Sequence, residues 1–358
     1  MPDVPGMPAA RPGRAGITLV TGASGFLGRY LCADLAERGV PVRGLVRDAA
    51  SGPEGIECRA SPDIGDRGAL RPALDGVDTV IHLAGRAHVG GAGAAASEFH
   101  RVNVAGMDAL LEEAVRAGVR TVLFASSVKA VGAATTGLDR WDESVTPEPH
   151  EPYGASKLEA EQRLRMAAAQ HGFWAPVLRL PLVYGPGMRA NMLRLFQLVD
   201  RGVPLPFGGI RNRRSLIFAG NVAAAIDAVL SGPGGRSEPF FVSDGRDLST
   251  PELLGAIADA LGRRLRLFTV PRGLMSAAGR VGDVLGRLLP VPFDTPALDR
   301  LRSSLAVDIA RITGRGYVPP FTVEQGLGVT ASWYRSRAGR VLGPGRAGGG
   351  EHAAGRVA

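Results

Sequence analysis

The chain has 358 residues, 45% hydrophobic and 21% charged, enough to bury a large core as one domain with a smaller lobe or as two domains. Its formal charge of +8 comes largely from arginine, concentrated in Arg211-Asn212-Arg213-Arg214 and in the tail at Arg335, Arg337, Arg340 and Arg346. Few aromatics interleave with either run, so no nucleic-acid partner is expected, and a phosphorylated small molecule suits the charge better. Cys32 and Cys58, the only cysteines, form no metal cluster and read as reduced side chains of a cytoplasmic protein. No run approaches the roughly 20 apolar residues of a membrane-spanning helix. Met1–Gly16 is rich in Pro, Gly and Ala, lacks the apolar stretch of a signal peptide, and reads as a flexible segment.

In chain order, Ile17–Thr21 is a short apolar run suited to a buried strand, and it leads into Gly22, Gly25 and Gly28. A helical pattern follows, with Leu27, Leu31, Leu35 and Ala36 on one side. Pro41–Val46 reads as a second strand with Arg47-Asp48 at its end, and Val77–Leu83 as a third after the turn-like Asp75-Gly76. Phe99–Ala117 has the helical period, Arg120–Ser126 is another strand, and Pro152–His171 is a long helix between its proline start and Gly172. Ala175–Leu180 is the next strand. This alternation predicts an α/β fold with a mostly parallel sheet covered on both faces.

Beyond about Tyr184 the pattern loosens. Met192–Leu198 reads as a helix, Leu216–Phe218 as extended, and Val222–Leu230 as an Ala-rich helix. Phe240–Ser243 reads as a strand, Thr250–Leu261 as a helix, and Leu274–Leu289 as a core or lid-packing helix. The expected division is a dinucleotide-binding core over 17–183 and a mainly substrate-binding lobe over 184–335, some of whose segments return to the core. Residues 336–358 form a Gly/Arg/Ala-rich tail expected to be disordered.

Two patterns carry chemistry. In the strand–turn–helix around the glycines, Gly22 makes a tight turn, Gly25 lets the backbone approach a pyrophosphate, and Gly28 lets helix and strand pack closely. The free N–H groups of the first helical turn then hold phosphates. In Tyr153-Gly154-Ala155-Ser156-Lys157, residues four apart share a helix face, so Tyr153 and Lys157 point into one cleft. A lysine beside a tyrosine favours phenolate and brings the phenol into a range useful for proton transfer. Ser127, at a strand end, can donate to the same substrate oxygen.

Together, Thr21–Gly28, Asn103, Ser127, Tyr153-x-x-x-Lys157 and Arg179 through Gly187 resemble the extended short-chain dehydrogenase/reductase family, over roughly Ile17 to Tyr334. The resemblance implies a Rossmann domain binding NAD(P) through Gly22, Ser24, Gly25, Phe26, Leu27, Gly28, Leu83, Ala84, Gly85, Asn103, Tyr153, Lys157 and Pro181. Asp63 and Ile64 resemble the adenine-binding position. It also implies that Tyr153 is the acid/base, that Lys157 binds the nicotinamide ribose, and that Ser127 holds the reacting oxygen. The smaller lobe would bind a nucleoside-diphosphate sugar, UDP-linked. Lys129, Asn191, Arg214 and Arg302 are its expected contacts, Arg300 is an alternative to Arg302, and Asn191 and the arginines fall where phosphates are held. The family pairs the tyrosine helix and the Phe99–Ala117 helix with their mates in a four-helix bundle, which implies a homodimer.

The dehydratases of that family carry Asp-Glu directly after the serine or threonine, whereas Val128 and Lys129 stand here. Ala130-Val131-Gly132 replaces the epimerases' Val-Tyr-Gly, and Leu83-Ala84-Gly85 replaces Leu-Ala-Ala. Asn191–Asn221, with Val242-Ser243-Asp244-Gly245 and Asp247-Leu248-Ser249-Thr250, looks most like a bacterial polysaccharide subgroup. That subgroup includes reductases acting at C4 of UDP-4-keto-6-deoxy-N-acetylhexosamines. A UDP-sugar 4-epimerase using the same residues is the alternative, and a non-catalytic NAD(P)-binding regulator is a third. In an NAD site an acid about 20 residues past the glycines binds the ribose. Here that position falls on Val46, with Arg47 next, which favours NADP(H) slightly over NAD(H) unless Asp48 reaches the ribose.

Overall fold

The structure, a computed structural model, describes residues 16–87, 95–136, 139–232, 235, 237–270, 299 and 301–342. Nine short strands are described: β1 Ile17–Thr21, β2 Val42–Val46, β3 Glu57–Ala60, β4 Val77–His82, β5 Thr121–Ser127, β6 Val177–Leu180, β7 Leu182–Tyr184, β8 Leu216–Phe218 and β9 Pro239–Phe241. Seven form one parallel sheet in the order β3-β2-β1-β4-β5-β6-β9, and β7 pairs with β8 in a second, two-stranded sheet. The order reverses between β1 and β4, so the crevice at their carboxyl ends is where such a sheet binds ligands.

The described helices are α1 Phe26–Glu37, α2 Arg67–Leu74, α3 Ala95–Phe99, α4 Gly106–Ala117, α5 Pro152–His171, α6 Ala190–Asp200, α7 Ala219–Ser231, α8 Thr250–Leu261, α9 Ala310–Thr313 and α10 Val323–Leu342. Strand alternation decides which helices each sheet face meets. Val20, Ile81 and Leu123 pack with Leu31 of α1 and Val222, Ile226 and Val229 of α7. Their strand neighbours Leu19, Val80 and Val122 pack with Leu70 of α2, Leu110 of α4 and Leu164 of α5 on the other face. A separate cluster joins Phe196 of α6, Leu254 and Ile257 of α8, Leu327 of α10 and the ends of β7 and β8 at Tyr184 and Phe218.

Several elements differ from the sequence reading, each for a visible reason. β3 is mostly exposed, so it shows no apolar run, and α2 carries an internal proline, Pro72. The helix expected over Phe99–Ala117 is interrupted by a π-helical turn at His100–Ala105, which has the same apolar content as its flanks. β9 belongs to the main sheet, paired with β6, and the last helix continues to Leu342, past the expected start of the tail. Leu274–Leu289 and Arg300 lie outside the described residues.

Candidate active site

β1 ends at Thr21 and the chain turns at Gly22, whose φ of +69° suits glycine. The Gly25 N–H donates to the Gly22 carbonyl at 2.9 Å, and Gly25 caps α1 without a side-chain bond or an acid in the first turn. The first N–H groups of α1 are thus open to an anion. Gly28 sets the tightest packing, because a Cβ there would fall 2.2 Å from the Gly22 carbonyl oxygen. Backbone, not a flexible side chain, would have to move.

From this loop a cleft of about 230 Å³ leads between Phe26, Leu27, Leu83, Gly85 and Pro181 to Ser127, Tyr153 and Lys157. Pro152 starts α5, which places Tyr153 and Lys157 one turn apart. Tyr153 is half-buried against the Phe99 ring at 5.8 Å and is hydrogen-bonded by Ser127, the last residue of β5. Burial raises the Tyr153 phenol above its ordinary value, with the Ser127 bond pulling the other way. Lys157 is buried, donates to the Ala125 carbonyl at 3.0 Å and sits 4.4 Å from the Phe124 ring centroid. Burial pushes its ammonium down to about 8, against a raising influence from Glu161. Desolvation outweighs the Ser127 bond at Tyr153, so the phenol is protonated at neutral pH.

Asn103 sits in the π turn, buried, where its side-chain NH₂ donates to Ser156 Oγ at 2.9 Å and to the Arg86 carbonyl at 3.1 Å. Its Oδ1 accepts the Arg86 N–H at 2.8 Å. It thereby fastens the segment after β4 to the tyrosine helix. Gly85 lies against this joint, since a Cβ there would be 3.2 Å from Asn103 Oδ1 and 3.3 Å from Lys157 Nζ. The Ala84 N–H donates to Thr21 Oγ1 at 3.1 Å, whose hydroxyl also bonds the buried His82 Nδ1 at 2.7 Å. Burial pushes His82 down to about 3, so it is neutral beside Lys157.

The remaining sequence-selected residues stand outside the cleft wall. The Ser24 carbonyl accepts from Arg29 at 3.2 Å. Asp63 pairs with Arg101, and Ile64 packs over Gly106, where a Cβ would lie 2.4 Å from Ile64 Cγ2. Arg47 is exposed at the end of β2, while the Asp48 carboxylate accepts the Ala50 N–H at 3.1 Å and caps the turn 49–51. Lys129 Nζ lies 3.3 Å from the Ala133 carbonyl and 3.3 Å from Glu151. Asn191 is exposed in the first turn of α6, and Arg214 donates to the Ser303 carbonyl at 3.2 Å. Arg302 borders a different cavity with Gly209, Ile210, Arg211, Asp299 and Ser303. Arg86, Ala87, Ala125 and Ser126 line the cleft without having been singled out in the sequence. Only the neighbours of Ser127 among them had a sequence signal.

Residues 18–240 match the NAD dependent epimerase/dehydratase family. A UDP-glucose 4-epimerase of Vibrio cholerae is 32% identical over 318 residues, covering 87% of this chain and 94% of the relative. A 4-hydroxy-2-methyl-3-oxo-4-farnesyl-3,4-dihydroquinoline-1-oxide ketoreductase of Stigmatella aurantiaca is 32% identical over 291 residues, 78% and 84% of the two chains. The crystal structure of Thermus thermophilus UDP-glucose 4-epimerase in complex with NAD superposes with a TM-score of 0.71 at 25% identity, covering 89% of this chain and 99% of that one. The chain therefore belongs to the NAD dependent epimerase/dehydratase family, within the extended short-chain dehydrogenase/reductases, and is an enzyme. The uncapped α1 start, the glycine loop and the cleft reaching Lys157 fit a nicotinamide dinucleotide. Among the described residues no helix is long and apolar enough to cross a membrane.

Proposed function

We propose that this enzyme reduces the C4 ketone of a UDP-4-keto-6-deoxy-N-acetylhexosamine, with NADPH as the preferred reductant. When bound, the nicotinamide supplies the hydride. Tyr153, protonated at neutral pH, gives its proton to the oxygen at C4, and the Ser127 hydroxyl bonds the same oxygen and the phenol. Lys157 holds the ribose. Val128 and Lys129 stand where an acid pair would abstract a proton and eliminate water, which argues against dehydration.

The observation that carries the choice of reductant is the turn after β2. The Asp48 carboxylate accepts the Ala50 N–H at 3.1 Å, and Arg47 stands beside it, both exposed at the strand end. An arginine there pairs with a 2′-phosphate, and the Asp48 carboxylate beside it is turned to the Ala50 N–H. In this reading residues 17–183 hold the dinucleotide, the lobe over 184–335 holds the nucleotide sugar through Lys129, Asn191, Arg214 and Arg302, and α4 and α5 pair two copies. The exposed Met166 on α5 supports that last assignment. UDP-sugar 4-epimerisation is the second reading, favoured by the Vibrio cholerae relative.

The test is incubation with the UDP-4-keto sugar and either cofactor. Stoichiometric NADPH loss with formation of the 6-deoxy alcohol is expected. Interconversion of UDP-sugars with no net nicotinamide oxidation would establish the epimerase instead.

A further inference from the structure

The chain has 42 basic residues of the Lys and Arg types, and only Lys129 and Lys157 are lysines. One of the two, Lys157, is buried in the cleft. Burying that charge away from water is costly unless an opposite charge compensates it.

A buried carboxylate stands one turn further along α5. Tyr153, Lys157 and Glu161 follow at intervals of four and share one face of the helix. Glu161 is as deeply buried as Lys157, and each of its oxygens is engaged. Oε1 accepts from Ser126 Oγ at 2.5 Å and from Arg179 Nε at 3.2 Å, and Oε2 accepts from Arg179 Nη2 at 2.8 Å. Arg179 comes from β6, is itself buried, and rests over the Phe241 ring of β9. One carboxylate thus joins α5, the end of β5 and the middle of β6. Ser126 adjoins Ser127, so the same contact seats the strand end that presents the reacting hydroxyl.

We propose that Glu161 is a positioning residue, anchored by Arg179 and Ser126, which keeps Lys157 charged and seated for its work beside Tyr153. The groups around Lys157 leave this task to Glu161. From β4 comes His82, which burial keeps neutral; from β5 come the Ala125 carbonyl and the Phe124 ring. The π turn contributes the uncharged Asn103 and α5 contributes the Tyr153 phenol. Arg179 of β6 is tied to Glu161 through both carboxylate oxygens. The role of Lys157 rests on the active-site reading above, and the measurement below needs no substrate.

With two lysines in the chain, lysine labelled with ¹³C and ¹⁵N gives two side-chain signals, which Lys157→Arg and Lys129→Arg assign. The Lys157 signal of the full chain is expected to titrate near 8. In Glu161→Gln the midpoint falls by about one pH unit or more, as loss of a nearby opposite charge dictates. Ser126→Ala, which keeps the charge, leaves it in place. Glu161→Gln strands Arg179, so Glu161→Leu combined with Arg179→Leu removes both members of that buried ion pair together. That double variant also shows the fall. A wild-type midpoint at the ordinary lysine value, or an unchanged midpoint in either folded Glu161 variant, would overturn the proposal. Such a result leaves the reductase reading standing. Conversely, a Tyr153→Phe enzyme with full turnover would remove that reading while leaving the lysine titration intact.

Discussion

Around Gly22, Gly25 and Gly28 the proposed dinucleotide loop is set by backbone: a positive φ at one glycine, an uncapped helix start at the next, and a 2.2 Å approach at the third. The lobe after Tyr184 is held differently. There Asn212, buried, reaches Thr250, Leu301 and Ser303 with its amide, and Arg214 is pinned by backbone bonds to Leu248 while its side chain reaches Ser303. Side chains tie loops to loops there, and none of Asn191, Arg214 or Arg302 lines the cleft that contains Tyr153. The contrast follows from what each half must do. In the proposed reading hydride chemistry demands one fixed geometry, whereas loops tied by side chains can change a sugar ligand through a few substitutions.

Substitutions on the two sides should differ in kind, and the largest effect belongs to the chemistry. Tyr153→Phe should cut kcat by about 10²–10⁴-fold with cofactor binding retained, as removal of a general acid does; kcat near wild type would break the comparison at its centre. Gly28→Ala comes next. Its Cβ meets backbone, so overpacking of about 1–3 kcal/mol is expected, read as a lower Tm together with weaker cofactor binding. Arg47→Ala should weaken NADPH binding about tenfold while leaving NADH nearly untouched, because a hydrogen bond to a charged group is worth about 1.5–3 kcal/mol. Titration of both cofactors by fluorescence checks this, and equal losses for the two would point away from a 2′-phosphate contact. Arg214→Ala sits at the small end. A rise in KM of at most about tenfold with kcat unchanged is expected from a group that holds substrate equally in ground and transition states.

Much of the fold was legible because buried strands and amphipathic helices impose strong periods: α5 and α8 run over the residues the sequence marks, Pro152–His171 and Thr250–Leu261. β3 left no such mark because it is largely exposed, and the π turn at His100–Ala105 changes hydrogen bonding without changing composition. In the site, Tyr153 and Lys157 were readable from helical spacing and the glycines from their strand–turn–helix setting. The electrostatics were not. Spacing brings an ammonium near a phenol, but burial, which no local pattern reveals, decides that the phenol stays protonated and that Lys157 bonds the Ala125 carbonyl. Glu161 carries no local sequence signal of burial, and its meeting with Arg179 from β6 is visible only in the fold.

The reductase reading can be tested most directly with NADPH deuterated in turn on each face of the nicotinamide C4. Incubated with the UDP-4-keto sugar, one of the two labelled cofactors should deliver a single deuterium to C4 of the product, with one NADPH consumed per product formed. Product lacking deuterium from either label, or UDP-sugar interconversion with the NADPH pool intact, would contradict it.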